Sequence, residues 1–427
     1  MAPDPRAVER LGAFAGSLPE QPTDPAEMLE LLDSAGSPAT LATAGGRFFG
    51  FVIGGALPST VAANWLATAW DQNAGLWVCS PVAACIEEVA LGWLVDLAGL
   101  PAGTGGAFVT GATVANFTAL AAARHAVLER AGWDVEARGL YGAPEITVVT
   151  GEEAHPTLLK AIAMLGLGRD RVTRLPVDSQ GRVRPDALGR IDAPAIVCLQ
   201  AGNINTGAFD PMDELVPAAK AAGAWVHVDG AFGFWAATSP RLAHLARGMS
   251  LADSWATDAH KWLNVPYDSG LALVRDPGAL RRAMSITAAY LPEGERREPS
   301  HYTPELSRRA RGIEVWAALR TLGRRGVAEM VEGCCRHAAR FAEGLRAAGH
   351  EVLNDVVLNQ VLVSFGSPER TREVIARIQA DGTCWCGGTS WQGRTAMRIS
   401  VCSWATTAED VEASLDAMVR IAAGVPD

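Results

Sequence analysis

The sequence predicts an α/β protein built around a largely parallel sheet. Apolar runs of strand length recur along the chain at residues 145–150, 195–200, 221–228 and 269–274. Segments in which apolar residues follow a helical spacing lie before and between these runs. Strands that alternate with helices form βαβ units, whose sheets are mostly parallel and covered on both faces.

Length and composition set the broad class. The chain has 427 residues, 49% of them hydrophobic and 20% charged, as in ordinary globular proteins with two or three domains. The net charge of −10 argues against a nucleic-acid partner. We expect no membrane span, because no uncharged apolar stretch reaches about 18 residues, and the N-terminus does not resemble a signal peptide.

The eight cysteines are too few for a dense disulfide framework in a chain of this length. Cys334-Cys335 and Cys384-Trp385-Cys386 lack the paired spacing of zinc ligands, so we expect no metal site. Reduced thiols and a cytoplasmic location are the simplest expectation.

Three regions are predicted along the chain. Residues 1–82 form an N-terminal helical arm, cut into short pieces by prolines, that packs on the main body or on a second subunit. Residues 83–328 form the large domain. Residues 329–427 form a smaller C-terminal α/β domain, with strands near 361–365 and 397–401 between helices.

A small-residue turn, Thr110-Gly111-Ala112-Thr113, joins a short predicted strand to a helix. This geometry presents free backbone N–H groups to an anion, and the two threonines add hydroxyl donors. The turn is neither a P-loop nor a GxGxxG motif, since it lacks the lysine and the further glycines. Many strand-to-helix turns contain Gly and Thr, so this signal is weak when taken alone.

Asp229 and Lys261 are the two residues whose positions most clearly indicate a catalytic role. Asp229 follows the run 221–228, and ligands bind at the carboxyl ends of strands in open α/β sheets. Lys261 lies between His260 and Trp262, where partial desolvation favours the neutral amine that forms Schiff bases. A salt-bridged strand end and an exposed lysine are the ordinary alternatives for each residue alone.

His155 lies at another predicted strand-to-helix junction, where a capping role is the ordinary alternative. If these strand ends share one crevice, the turn can bind a phosphate and His155 can stack on a planar ring. Asp229 can then pair with a protonated ring nitrogen, while Lys261 can bind an aldehyde. These demands together match pyridoxal 5′-phosphate.

Three motifs resemble the signature of the group II pyridoxal-phosphate-dependent amino-acid decarboxylases: His227-Val228-Asp229-Gly230-Ala231, Asp258-Ala259-His260-Lys261-Trp262 and Val265-Pro266-Tyr267-Asp268. The resemblance runs from Pro58 to Val401. It implies the fold type I (aspartate-aminotransferase-like) architecture of PLP-dependent transferases. That fold has a large domain with a mostly parallel seven-stranded sheet flanked by helices, a smaller C-terminal α/β domain and an N-terminal helical arm. It also implies a homodimer with the active site at the subunit interface.

The resemblance assigns roles to single residues. Lys261 holds the cofactor as a Schiff base, Asp229 pairs with its pyridine nitrogen, and His155 and Ala231 lie on the two sides of its ring. The residues expected around the phosphate are Thr110, Gly111, Ala112, Thr113, Asp258 and His260. The sequence departs from the common family pattern at Val114, where many members have glutamate, and at Ala259, where many have proline.

Two further assignments are made in the same way. Asn205 is the candidate for the 3-hydroxyl side of the cofactor. Tyr302, in a long predicted loop over 282–308, is the candidate proton donor after decarboxylation, and Tyr290 is its alternative.

The resemblance implies a lyase that converts an L-amino acid, a small-molecule substrate, to an amine and carbon dioxide through a quinonoid carbanion. Decarboxylation-coupled oxidative deamination with O2 to an aldehyde and aminotransfer remain alternatives, the latter because Arg398 lies where aminotransferases bind a carboxylate. An aromatic or bulky substrate is weakly favoured by four aromatic residues ahead of the large domain: Phe49, Phe51, Trp65 and Trp77.

Overall fold

The computed structural model describes residues 3–286 and 296–426. Seven strands form the larger sheet: β1 (Gly105–Val109), β2 (Thr147–Gly151), β3 (Thr173–Leu175), β4 (Ala195–Gln200), β5 (Trp225–Asp229), β6 (Ser254–Asp258) and β7 (Gly270–Val274). Four strands form the smaller sheet: β8 (Glu351–Val352), β9 (Gln360–Ser364), β10 (Gly387–Trp391) and β11 (Arg394–Ser400).

Twelve α-helices occur in the described residues. They are α1 (Pro5–Arg10), α2 (Pro25–Leu31), α3 (Pro58–Trp70), α4 (Pro81–Leu97), α5 (Ala112–Arg130), α6 (Val135–Arg138), α7 (Pro156–Met164), α8 (Met212–Ala221), α9 (Pro277–Met284), α10 (Gly312–Ala347), α11 (Pro368–Asp381) and α12 (Ala408–Ala423). None of them has both the length and the apolar content needed to cross a membrane.

The larger sheet has the strand order β1-β7-β6-β5-β4-β2-β3. Only β7 runs against its neighbours β1 and β6, and the remaining pairs are parallel. The predicted mostly parallel seven-stranded sheet of fold type I is therefore confirmed. Successive residues of β4 from 195 to 199 face two different hydrophobic clusters, which explains why all five are apolar.

The prediction for residues 221–228 was wrong at its start. Ala221 is the last residue of α8, and β5 begins only at Trp225. Gly223, with φ of 79°, makes the left-handed turn between them. Because the apolar residues continue from the helix end into the strand, hydrophobicity alone could not separate the two elements.

The apolar pattern of the sequence did not predict β3 and β6. β3 has three residues, and two of them are exposed. β6 is buried throughout but contains Ser254, Thr257 and Asp258, so it lacks the apolar run by which the other strands were found. A strand whose polar residues are all satisfied inside the protein gives no periodic signal.

The N-terminal segment before α3 contacts the smaller sheet and the Lys261 turn. The Phe49 N–H donates to the carbonyl of Trp385 at 2.8 Å, and the Phe49 carbonyl accepts the N–H of Ser400 at 3.0 Å.

The predicted boundary at 328/329 falls inside α10, just after the interruption at Gly323, where φ is 60°.

Candidate active site

A cavity of about 350 Å³ opens at the carboxyl edge of β4, β5 and β6. Every predicted site residue except Asn205 and Tyr302 lines it: Thr110, Gly111, Ala112, Thr113, His155, Asp229, Ala231, Asp258, His260 and Lys261. Six lining residues were not predicted: Val114, Thr157, Gln200, Gly202, Ile204 and Phe232. Gln200 ends β4 just as Asp229 ends β5, so the strand-end argument applied to Asp229 would have identified it.

The turn before α5 is shaped to bind an anion. Gly111 caps the helix without a side-chain bond, and the N–H of Ala112 donates to Asp258 Oδ1 at 2.6 Å. A Cβ atom at Gly111 would lie 3.2 Å from His260 Cε1 and 3.3 Å from Asp258 Oδ1, so a larger residue would crowd the turn. The remaining N–H groups of the first helical turn lie at the positive end of the helix dipole, which favours binding of a phosphate.

Lys261 is held by a carboxylate and by close backbone packing. Its Nζ lies 3.0 Å from Asp258 Oδ2. A Cβ atom at Gly54 would lie only 1.8 Å from the Lys261 carbonyl oxygen, so only glycine allows the N-terminal segment to pass here. The amine is thus fixed at the cavity edge.

His260, next to Lys261, is held in place by two contacts with neighbouring residues of the chain. Its Nδ1 accepts the N–H of Ser269 at 3.2 Å, and its ring stacks on Tyr267 with centroids 4.3 Å apart. Burial lowers the pKa of His260, which keeps the imidazole neutral near pH 7.

Asp229 is a buried carboxylate at the end of β5. Burial raises its pKa, while His155 and Lys261 act in the opposite direction. Asn116 Nδ2 donates to its Oδ2 at 3.2 Å and the Ala231 N–H donates to its Oδ1 at 3.2 Å. A desolvated anion of this kind gains strongly from a cation in the cavity, such as a protonated pyridine nitrogen.

His155 has a defined tautomer. Its Nδ1 accepts the N–H of Thr157 at 3.3 Å and lies 2.7 Å from Thr157 Oγ1. Burial, followed by Lys261 and Arg398, lowers the pKa of His155 against the opposing effect of Asp229. The imidazole is therefore neutral, with its proton on Nε2.

Arg398 on β11 brings a cation from the smaller sheet close to this site. Burial lowers its pKa, and its charge acts on His155. Its side chain has no hydrogen bond or ion pair within residues 3–286 and 296–426. A half-buried guanidinium with no protein anion is suited to a ligand carboxylate.

The structure does not bring all predicted residues to the cavity. Asn205 Oδ1 accepts a hydrogen bond from Thr389 on β10 at 3.0 Å, so it faces the smaller sheet. The Tyr302 ring lies under the Arg297 guanidinium at 4.5 Å and packs on the core, so the geometry of one chain gives no support for a proton donor there. Tyr290 lies outside the described residues.

The aromatic residues expected near the entrance do not line this cavity either. Phe49 is fully buried against Phe341, and Phe51 stacks on Trp385. Trp65 and Trp77 are not among the lining residues either, whereas Phe232 is. Of these four residues, Phe49 is a buried packing position, which is the more common role of an aromatic side chain.

The donor set fits pyridoxal 5′-phosphate. The glycine turn and helix terminus suit a phosphate, Asp229 suits a protonated ring nitrogen and Lys261 supplies an amine. His155 and Ala231, which the family resemblance assigns to the two sides of the ring, both line the cavity.

A family model described as the pyridoxal-dependent decarboxylase conserved domain matches residues 39–366. The chain is 28% identical over 344 residues to the aromatic-L-amino-acid decarboxylase of Bacillus atrophaeus, covering 78% of this chain and 68% of that protein. It is 30% identical over 382 residues to the L-2,4-diaminobutyrate decarboxylase of Rhizobium meliloti, covering 84% and 74% of the two chains.

Among solved structures, the chain is similar to Oryza sativa TDC crystallised with PLP and tryptamine. The TM-score is 0.91 and the identity 23%, and the match covers 99% of this chain and 93% of the other. At 23% identity, this similarity shows the fold alone.

Proposed function

This chain belongs to the pyridoxal-dependent decarboxylases, and we propose that it releases the α-carboxyl group of a free L-amino acid as carbon dioxide and leaves an amine. Its cofactor is pyridoxal 5′-phosphate, and the enzyme is a carboxy-lyase of amino-acid metabolism. The observation that carries the proposal is that Lys261, Asp229 and His155 line one cavity.

Each residue has a physical task in this reaction. When bound, the cofactor would supply an aldehyde carbon for the substrate amine and a ring that withdraws electrons from the substrate α-carbon. Lys261 supplies the amine that anchors the cofactor, and Asp258 holds that amine at the cavity edge. Asp229 would keep the proton on the ring nitrogen, and the turn at 110–113 would bind the phosphate.

With the cofactor bound, His155 would stack on one face of its ring and Ala231 would lie on the other. Because Thr157 donates to Nδ1, His155 keeps its proton on Nε2, where it can donate toward a reacting group in the cavity. Within one chain, His155 is therefore a better candidate than Tyr302 for delivering a proton to the α-carbon.

We propose an aromatic or other bulky substrate. Phe232 offers an aromatic surface in the cavity, and one relative is named for aromatic L-amino acids. The other relative is named for a diaminobutyrate, so substrate choice within the family is broad.

A second candidate reaction is decarboxylation coupled to oxidative deamination, in which O2 and water convert the amino acid to an aldehyde, carbon dioxide, ammonia and hydrogen peroxide. This alternative requires that His155 protonates the α-carbon slowly, because Tyr302 lies away from the cavity and slow protonation leaves time for oxygen. A third candidate reaction is aminotransfer, which requires Arg398 to bind the α-carboxylate of the substrate.

We also propose a homodimer that completes the site. The apolar side chains of the N-terminal region support this, because many are exposed in the single chain, including Trp65 at 70% and Leu29 at 58%. We propose a cytoplasmic location, supported by eight cysteines that all carry free thiols.

The test is a mass-spectrometric screen of the amino acids that scores amine, aldehyde and keto acid, with and without oxygen. Amine formation that is independent of oxygen supports the proposed reaction. Aldehyde that needs oxygen supports the alternative, and keto acid formed with an amino acceptor contradicts both.

The cofactor assignment has its own test. Purified protein supplied with cofactor should absorb visible light, and Lys261→Ala should lose the covalent attachment detected after borohydride trapping and peptide mass spectrometry. Wild-type protein that gains no absorbance contradicts the assignment.

A further inference from the structure

Behind Asp229, the face of β5 that carries it also carries Trp225 and His227, because alternate residues of a strand face the same way. The strand register sets His227 opposite Ser254 of β6, and α5 covers this face and contributes Asn116. His227, Ser254 and Asn116 are completely buried, while Trp225 and Asp229 are nearly so. Five polar groups are therefore enclosed together.

These groups are joined by consecutive hydrogen bonds. Trp225 Nε1 lies 2.8 Å from Ser254 Oγ, and His227 Nδ1 lies 2.9 Å from the same oxygen. His227 Nε2 lies 2.8 Å from Asn116 Oδ1, and Asn116 Nδ2 lies 3.2 Å from Asp229 Oδ2.

The direction of every bond follows from the chemistry at the two ends. Indole N–H can only donate, so Ser254 accepts from Trp225 and has its own hydroxyl proton to give to His227 Nδ1. At the other end, the Asp229 carboxylate accepts, so the amide of Asn116 must turn its Nδ2 toward Asp229 and its Oδ1 toward His227. The Asn116 end requires that His227 donates from Nε2. Burial lowers the pKa of His227, so the ring is neutral and its Nδ1 accepts the hydroxyl proton of Ser254.

We propose that Trp225, Ser254, His227 and Asn116 form a one-way hydrogen-bond relay that positions Asp229 as the anion facing the pyridine nitrogen of the cofactor. This inference rests on the proposed role of Asp229. The relay members touch neither substrate nor cofactor, so they are positioning residues. Their action is to stop the Asn116 amide from rotating and presenting its oxygen to the carboxylate.

The relay acts within a set of charges that also face Asp229. His155 and Lys261 lie on the cavity side, and Cys198 lies on the neighbouring strand β4. The Ala231 N–H donates to the other carboxylate oxygen. The experiment therefore has to report on the ring nitrogen specifically rather than on general charge near the site.

A suitable probe is 1-deazapyridoxal 5′-phosphate, in which a CH group replaces the ring nitrogen. The ratio of its dissociation constant to that of the natural cofactor measures what Asp229 contributes to nitrogen recognition. In wild type we expect the natural cofactor to bind tighter. His227→Phe should shrink this preference by about tenfold, because loss of the donor releases Asn116.

Two further variants keep the test informative if His227→Phe folds poorly. His227→Gln should restore most of the preference, since its amide N–H can reach Asn116 Oδ1. Trp225→Phe should reduce the preference by about threefold, because it removes only the first donor of the relay. Its matched control is Trp255→Phe on β6, which also removes a buried indole bond, here to the Met249 carbonyl at 2.9 Å, but lies outside the relay.

The outcomes separate the two claims. If wild type does not prefer the natural cofactor over the deaza compound, the role of Asp229 in the proposed function fails. If wild type has the preference and folded His227→Phe or Trp225→Phe keeps it unchanged, the relay is refuted. An equal loss of preference in Trp255→Phe would also refute it, because the effect would then be general.

Discussion

Glu87 on α4 and Arg308 ahead of α10 form a buried ion pair in which both carboxylate oxygens lie within 2.6 Å of one guanidinium nitrogen. Each side chain is only 1% exposed. Arg308 also donates to the Phe108 carbonyl at 3.1 Å, and Arg297 donates to the Gly106 carbonyl at 2.7 Å. β1 is an edge strand, so these arginines satisfy carbonyls that no strand would pair, just before the turn at 110–113.

Glu87→Ala should destabilise the apoprotein by about 3 kcal/mol or more, because it leaves a buried guanidinium without its anion. The measurement is chemical denaturation at neutral pH. The control is Asp96→Ala, which breaks the exposed Asp96–Arg324 pair on the same helix and should cost less than about 1 kcal/mol. Equal losses in the two variants would contradict the importance of the buried pair.

Asn264 joins three separate segments beside Lys261. Its Oδ1 accepts the N–H groups of Gly55 at 2.7 Å and Trp404 at 3.0 Å. Its Nδ2 donates to the carbonyls of Trp262 at 2.9 Å and Cys402 at 3.2 Å. Asn264 also has φ of 54°, a left-handed conformation that Asn and Gly tolerate best.

Substitutions at Asn264 should therefore separate the contribution of its side-chain amide to stability from that of its left-handed backbone. Asn264→Gly should cost about 2 kcal/mol from the lost buried bonds, and Asn264→Ala about 1 kcal/mol more from the left-handed backbone. Denaturation of the apoprotein measures both. Asp71→Ala, at an exposed left-handed residue, gives the backbone cost alone, and a loss there as large as in Asn264→Ala would contradict the role of the amide.

Much of this site was predictable because its chemistry lies at strand ends. Asp229, His155 and the turn at 110–113 follow strands whose apolar runs are visible, and the motif around Lys261 is specific. The line of Trp225, His227 and Asp229 on one face was also readable from alternate positions. Nothing in the sequence indicated that Ser254 and Asn116 complete it, since both come from elements aligned only by folding.

The geometry does not support the predictions for Asn205 and Tyr302, and one physical cause explains both. Asn205 and Tyr302 were placed by their distance along the chain from a motif, and loops do not preserve such distances in space. Asn205 bonds to Thr389 on the smaller sheet, and Tyr302 packs under Arg297. Side chains on the strand ends were constrained by the sheet, whereas these two were not.

The stability of the apoprotein should depend on His227 at acidic pH. Burial lowers the pKa of His227 from 6.5 to about 3. The unfolded chain therefore binds the proton first, so stability is complete above about pH 6.5 and declines as pH falls toward 3. Asp210, whose pKa burial raises to about 6, changes stability in the opposite direction.

Comparison with His227→Gln isolates the histidine, because Asp210 is common to both proteins. Between pH 7 and pH 5, wild type should lose about 2 kcal/mol more than the variant. Denaturation curves at the two pH values measure this difference. Parallel losses in the two proteins would mean that His227 is not held neutral in the folded chain.

The proposed dimer predicts a specific effect at Trp65 on α3, whose indole is 70% exposed in the single chain. Trp65→Glu places a charge where an apolar partner surface is expected, so it should shift the protein toward monomers in sedimentation or light-scattering experiments. Tyr141→Glu is the control, because Tyr141 is 97% exposed outside the N-terminal region and should leave the oligomeric state unchanged. If the site needs the partner, monomeric Trp65→Glu should lose decarboxylation while its far-ultraviolet circular dichroism stays that of the folded chain. A variant that remains dimeric and fully active would place the interface elsewhere.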